Sequence, residues 1–409
     1  MPDLLTARDA KDVEGAVGWA LAEGKTLEVA GSGSKRAIGR PSQSDLTLDL
    51  SGLTGVTLYE PEELVLSARA GTPIAEIEKL VGSKGQELAF EPMDYGPLLG
   101  VPPDAAAIGG GTIGGVLAAN LSGPRRIKAG AARDHFLGFT AVSGRGENFK
   151  SGGRVVKNVT GYDLCKVLAG SWGTLAAMTD VTVKTLPRAE TQETVAIVGL
   201  DDAAGARAMA QAMGSSCDVS GAAHLPAHTV ARFDGLSVEK AVTVLRLEGV
   251  PPSVVHRRDS LAALLKPFGP VTVIDEPNSR ALWRSVRDAK PFADRSVVDR
   301  PLWRLSTAPS RGHEIAAMLS PAAQMFYDWA GGLVWIAMPH ADDAGASVIR
   351  RAMQTLGGHA TLIRAPAAIR AAVSVFQPQP EALAALTKRV KESFDPKGVL
   401  NPGRMWAGV

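Results

Sequence analysis

Between Gly109 and Asp134 the chain reads GGGTIGGVLAANLSGPRRIKAGAARD. Seven of these residues are glycine, and Arg125, Arg126, Lys128 and Arg133 form a basic cluster at the end. Ala, Leu and Ile are threaded through the stretch, so it is not a solvated linker. It reads as a bare strand-to-helix turn followed by a short helix of small residues. Such a segment lets another body, a packed helix or a flat ligand, lie directly on the backbone. The N–H groups at the helix start favour an anion. Asn120 and Ser122 stand near the helix end with groups able to donate or accept hydrogen bonds. Arg125, Arg126 and Arg133 offer bidentate partners for a pyrophosphate. Tight helix packing would explain the small residues, but not the basic cluster.

A second bare stretch lies upstream, in EVAGSGSKRAIG. A strand running into Gly31, Ser32, Gly33 and Ser34 can turn tightly and present successive N–H groups, a nest that suits phosphate oxygens. A plain surface turn would use the same residues. Two phosphate-loop templates fail. The next glycine is Gly39, so the Gly-x-Gly-x-x-Gly spacing is absent, and Pro41 argues against a following helix. No Gly-x-x-x-x-Gly-Lys-Ser/Thr occurs. Asp49, at the end of the next strand, is a weak match to a ribose-binding acid. A third segment, LAGSWGTLAAMTDVTVKTLP, bares the backbone at Gly170 and Gly173 before a strand.

The rest of the chain frames these stretches. A helix is expected over Asp9–Gly24 from Val13, Ala16, Val17, Ala20 and Leu21. Strands are expected at TLEVA, LTLDL and ELVLSARA, and a helix opening near Thr72 or Pro73 and ending near Gly82. FLGFTAVSGRGENFKSGG reads as a strand, a turn at Gly144–Gly146 and a second strand. Beyond Pro187 the texture changes to four strand–helix pairs, led by strands at 194–200, 242–248, 302–307 and 332–338. Each following helix opens with Asp, Ser or Pro, as first-turn chemistry prefers. The chain ends in a helix over 380–394 and the tail FDPKGVLNPGRMW. The expected division is 1–190, with lobes at about 1–55 and 56–190, then a domain at 191–365 and a returning segment at 366–409.

Composition excludes several classes. At 409 residues the chain is long enough for more than one domain. A net charge of +2 gives no field for nucleic acid. Cys165 and Cys217 alone cannot build a disulfide framework or a thiolate-ligated cluster. No apolar run approaches the length of a membrane span, and the N-terminal residues lack the apolar core of a signal peptide. His224 and His228 are four apart, but Pro226 between them spoils a helical metal pair, so no metal site is expected.

Taken together, GSGS, AGTPIAEIE, GGTIGGVLAANLSG, GAARDHFLGFTAV, KNVTGYDLCKVLAGSWGTL and FDPKGVLNPGR resemble the vanillyl-alcohol-oxidase, or PCMH-type, FAD-binding flavoproteins. The resemblance covers residues up to about 190 plus the tail. Its most specific stretches look like the E-subunit branch of the bacterial glycolate oxidases. It implies an α+β fold: a PCMH-type FAD-binding domain of two α/β lobes with an α+β cap. It implies that Gly31, Ser32, Gly33 and Ser34 hold the FAD pyrophosphate. Thr112, Ile113, Gly114, Gly115, Asn120, Ser122 and Gly123 would wrap the diphosphate and ribityl chain, with Arg133 and Asp134 following. Gly173 and Leu175 would lie near the adenine half, and Pro92 and Asn401 are looser matches near the isoalloxazine. The loops lack the His or Cys of covalent members, so the FAD is expected to be non-covalent.

The implied function is that of an oxidoreductase subunit, a flavoprotein taking part in oxidation of glycolate, a small 2-hydroxy acid, to glyoxylate. The implied partners are a second FAD subunit and an iron–sulfur subunit. The implied location is the cytoplasm, with contact to the inner membrane only through the complex. Alternatives are a flavin-bound non-catalytic scaffold and a free-standing FAD-dependent alcohol or sugar oxidase. The His-rich motifs of catalytic members, His-x-Gly-x-Gly-Asn-x-His and Glu-His-Gly-x-Gly, are absent. No catalytic base is assigned. Arg304 in PLWRLSTAPS is the candidate carboxylate clamp, and an alternating strand would send Trp303 to the opposite face. His135 and Cys165 read as packed side chains.

Overall fold

The computed structural model describes residues 3–41, 43–100, 111–154 and 161–409. Gly109 and Gly110, and residues 155–160 of the motif GGRVVKNVTGYD, lie outside them. The chain divides into two compact units. One comprises Met1–Ser122, Gly130–Arg188 and Pro378–Val409; the other comprises Gly123–Ala129 and Ala189–Gln377.

In the first unit, helix α1 (Ala10–Glu23) begins where the Asp9 carboxylate accepts the N–H groups of Lys11 and Asp12. It ends where Gly24 takes φ +63°, a left-handed conformation that glycine adopts without strain. Its stripe of Val13, Ala16, Val17 and Ala20 is buried with Leu27 and Leu48 of a parallel sheet. That sheet runs in the order β1 (Asp3–Thr6), β3 (Leu46–Asp49), β2 (Leu27–Ala30). A second sheet is antiparallel: β4 (Val56–Glu60), β5 (Val65–Arg69), β8 (Ala176–Lys184), β6 (Phe136–Ser143) and β7 (Asn148–Gly152), in that spatial order among the described residues. The helices of this unit include α2 (Ile74–Gly82), α3 (Ile113–Ala118) and α4 (Leu164–Leu168).

The C-terminal segment closes the first unit. Helix α9 (Glu381–Phe394) exposes most of its surface but buries Lys391. The Lys391 ammonium donates to Asp395 Oδ2 at 2.6 Å, Thr174 O at 2.6 Å and Leu400 O at 2.9 Å. Asp395 in turn accepts the N–H groups of Val399 and Leu400. Gly144 leaves room for it, since a Cβ there would strike the Asp395 side chain. The tail then runs beside β2, with Leu27 N–H donating to Val399 O and Asn401 N–H to Leu27 O.

The second unit is built on an antiparallel sheet of eight strands among the described residues. Its chain-order strands are β9 (Thr191–Val198), β10 (Gly221–Leu225), β11 (Val242–Gly249), β12 (Val271–Ile274), β13 (Leu302–Ser306), β14 (Gln324–Asp328), β15 (Leu333–Ala337) and β16 (His359–Arg364). They lie side by side as β12-β9-β11-β10-β14-β15-β13-β16. Its main helices are α5 (Asp202–Met213), α6 (Pro251–Leu265), α7 (Glu276–Arg287) and α8 (Ala346–Leu356). The third expected helix is instead a 3₁₀ segment, Gly312–Met318, at whose start a Cβ on Gly312 would collide with the carbonyl of Gly331. Among the described residues no helix is long and apolar enough to cross a membrane.

Residues 123–129 belong to this second unit. Arg125 donates to both carboxylate oxygens of Glu248, at 3.0 and 2.6 Å. Arg126 stacks 6.0 Å from the Trp329 ring, whose indole N–H donates to Gly123 O. Arg125 and Arg126 therefore serve packing of the second unit. Arg125 is engaged there by Glu248, a carboxylate it shares with Arg246.

Candidate functional site

A cleft opens within the first unit. One wall is the end of β2 and the loop Gly31–Ser34. Another is Thr112 and the glycines of α3, and a third is the Trp172–Gly173 turn. Leu50, Ala70, Ala176 and Met178 supply apolar floor, and Arg404 from the tail completes the lining.

The walls are bare because side chains are missing where the segments approach each other. A Cβ on Gly31 would lie 2.6 Å from Thr112 Oγ1, and one on Gly114 would lie 2.8 Å from Ala70 Cβ. Thr112 caps α3 by accepting Gly115 N–H on its hydroxyl. Gly173 takes φ +73° and a Cβ there would lie 2.7 Å from Asn401 Nδ2. Asn401 is fully buried and bolts two walls together: its Oδ1 accepts Val29 N–H at 2.9 Å and its Nδ2 donates to Trp172 O at 2.8 Å.

The sequence-assigned residues divide into groups. Gly31, Ser32, Gly33, Ser34, Thr112, Gly114, Gly115 and Gly173 line the cleft together. Ile113 and Leu175 are buried behind it. The Asn120 carbonyl oxygen accepts Arg133 N–H at 3.0 Å, so this side chain fixes the chain after α3. Ser122 is buried, and Gly123 passes to the second unit. Arg133 is exposed, and Asp134 caps the short turn through Ala131 N–H. Pro92 is buried, and neither it nor Asn401 lines the cleft wall. Asp49 is held by the Ser51 and Thr6 hydroxyls.

Three cations in the cleft lining were not singled out from sequence: Lys35, Arg36 and Arg404. Arg36 grips Glu28 through both carboxylate oxygens. Arg404 lies 5.4 Å from the Trp172 ring centroid and donates to Lys35 O at 3.1 Å. Lys35 is buried, and burial pulls its ammonium down to about 8, with Asp94 opposing that fall and Arg404 adding to it. Among the described residues the lining contains neither His nor Cys.

Elsewhere the candidate chemistry is quiet. Burial pushes the Cys165 thiol up to about 12, so it stays protonated and unreactive. His135 is buried with its ring 5.4 Å from Phe90. In the second unit Trp303 is fully buried and donates to Ala344 O. Arg304 points the other way and stacks on two indoles, 4.9 Å from Trp329 and 6.0 Å from Trp335. His224 bonds Thr243 and Asp202 in a buried polar group with Tyr327. Among the described residues no group of three or more His, Cys, Asp or Glu is gathered to hold a metal.

Residues 3–152 match the family model of an FAD binding domain. The chain is 32% identical to glycolate oxidase subunit GlcE of Escherichia coli (strain K12), over 96% of this chain and 95% of that protein. The chain belongs to the glycolate oxidase E-subunit family. It is also 25% identical to glycolate oxidase subunit GlcD of Bacillus subtilis (strain 168), over 92% of this chain and 83% of that one. Among solved structures, p-cresol methylhydroxylase with bound substrate superposes with a TM-score of 0.71 at 13% identity, covering 98% of this chain and 88% of that one. An alkyldihydroxyacetonephosphate synthase superposes at 0.69 and 17% identity, covering 98% and 76%. These two share the fold. The expected PCMH-type α+β architecture is the one found, and the family model accounts for FAD as the cofactor.

Proposed function

We propose that this chain is the FAD-binding E subunit of a glycolate oxidase, taking part in the oxidation of glycolate to glyoxylate beside a second flavin subunit and an iron–sulfur subunit. The observation that carries the reading is the match along nearly the whole chain to a glycolate oxidase subunit, with the bare cleft falling inside that match. The residues present fit the cofactor. Gly31–Ser34 offer unshielded N–H groups, Gly115 and Gly173 let a flat body approach the backbone, and a buried ammonium stands at the same place. When bound, the flavin accepts the electron pair and hydrogen of an alcohol carbon.

This chain's own residues bind and orient; among the described residues of the cleft none is placed to take a proton. Glu28 is tied to Arg36, and the remaining titratable groups of the lining are cations. A general base contributes about 10²–10⁴-fold. The isolated, FAD-loaded chain is therefore expected to show no useful glycolate-dependent dye reduction, and anaerobic glycolate should bleach flavin only when the partner subunits are present. Bleaching and turnover by the chain alone would contradict this; no bleaching in the whole complex would remove the glycolate assignment.

Among the described residues the lining has no His or Cys to form a covalent bond to the flavin. Acid precipitation is expected to leave the yellow colour in the supernatant. Colour carried down with the protein would show covalent attachment.

A further inference from the structure

We propose that Lys35 is the counter-ion of the cofactor's pyrophosphate, and that FAD binding to this chain is thereby coupled to the protonation of Lys35. The inference rests on the FAD reading above and concerns how this chain, in particular, neutralises the diphosphate.

The Lys35 side chain is 8% exposed, and among the described residues its ammonium makes a single hydrogen bond, to Ser34 Oγ at 3.0 Å. No carboxylate among the described residues forms an ion pair with it. Asp94, which favours its charged form from a distance, is already occupied in accepting Gly96 N–H. Glu28 is held by Arg36, and Arg404 repels the ammonium. A buried ammonium with one of its three protons placed is costly. It is costly in the one corner where two glycine-bare segments converge. A Cβ on Gly111 would lie 2.8 Å from Lys35 Nζ, and one on Gly115 would lie 3.8 Å from it. Lys35 and the Gly31–Ser34 loop line the same cleft, and the Ser34 hydroxyl already bridges the loop to the ammonium. A diphosphate supplies further acceptors and a counter-charge for the ammonium.

The linkage has a definite sign. Without cofactor Lys35 loses its proton near pH 8. The bound diphosphate holds the proton on, so binding takes up a proton above that pH and weakens as pH rises. Below it, Lys35 contributes no pH dependence. The flavin-free protein behaves oppositely: the unfolded lysine keeps its proton longer than the folded one, so stability gains as pH climbs from about 8 toward 10.5.

The test is equilibrium titration of the flavin-free full chain by fluorescence quenching, from pH 6.5 to 9.5, with FAD and with riboflavin, which lacks phosphate. Lys35→Met should weaken FAD about 10–100-fold at neutral pH, the usual worth of hydrogen bonds to a charged group. It should leave riboflavin affinity unchanged. Wild-type FAD affinity should fall with a slope approaching tenfold per pH unit above pH 8, and Lys35→Met should abolish that slope. Thermal melts should show Lys35→Met folded without cofactor and no less stable than wild type; Lys35→Gln serves as the second neutral variant. Equal FAD affinity in wild type and both variants, an unchanged pH slope, or equal loss of riboflavin would overturn the inference. Failure of wild type to bind FAD at all would overturn the cofactor reading instead.

Discussion

Asp395→Ala is expected to lower folding stability by about 3–5 kcal/mol, the cost of stranding one member of a buried ion pair. The substitution leaves the Lys391 ammonium, 3% exposed, with two carbonyls and no counter-charge. It also removes the acceptors of Val399 and Leu400 N–H, which start the tail. The loss should reach the cleft, because that tail carries Asn401, which ties β2 to the Trp172–Gly173 turn, and Arg404, which stacks on Trp172. Urea unfolding should show a lower midpoint, and FAD affinity should fall with it. Combining Lys391→Met with Asp395→Asn should recover part of the stability, since the stranded charge is then gone. A cost within 1 kcal/mol for Asp395→Ala would mean that the pair does not hold the tail.

Gly114 and Gly115 should give opposite phenotypes under the same substitution. A Cβ on Gly114 points into the protein, 2.8 Å from Ala70 Cβ and 2.9 Å from Ala70 O. Gly114→Val should therefore destabilise the fold by about 1–3 kcal/mol through overpacking, backbone being unable to yield as a side-chain tip can. A Cβ on Gly115 meets Thr112 Oγ1 at 3.3 Å and the Lys35 methylene at 3.6 Å, contacts that small shifts relieve. Gly115→Val should fold, yet place two methyl groups on the cleft wall and weaken FAD about 100-fold, the upper part of the same overpacking range. Melting curves paired with flavin titration separate the two. A Gly115→Val protein that purifies with its full complement of flavin would show that the cofactor does not lie against α3.

Much of this was legible in the sequence for identifiable reasons. The Asp9 cap and Gly24 stop mark α1 because both act through local backbone chemistry. The glycine stretches mark the cleft because close approach of backbone demands them. What escaped depends on distant partners. Lys35 sits next to the GSGS loop yet reads as an ordinary surface lysine until the fold buries it. Arg404 reaches the cleft from 369 residues away, donating to Lys35 O. Arg125 looked like an anion ligand because its partner Glu248 lies 123 residues further on. Strands β10, β12, β14 and β16 were missed. The burial of β10 and most of β14 is nearly continuous, so neither shows the alternation that marks a half-exposed strand. Helix α7 begins with an Asp275 cap and Pro277 in its first turn, but its polar composition obscured the apolar stripe of Leu282, Trp283 and Val286.

The central claim is that FAD lies in the first unit with its pyrophosphate on the Gly31–Ser34 loop beside Lys35. A crystal structure of the FAD-loaded chain tests it most directly. The account predicts phosphate oxygens within hydrogen-bonding distance of the Ser32–Ser34 backbone N–H groups and of Lys35 Nζ, with no density joining the flavin to a side chain. A pyrophosphate seated on Arg125 or Arg126, with Lys35 left facing protein alone, would contradict it.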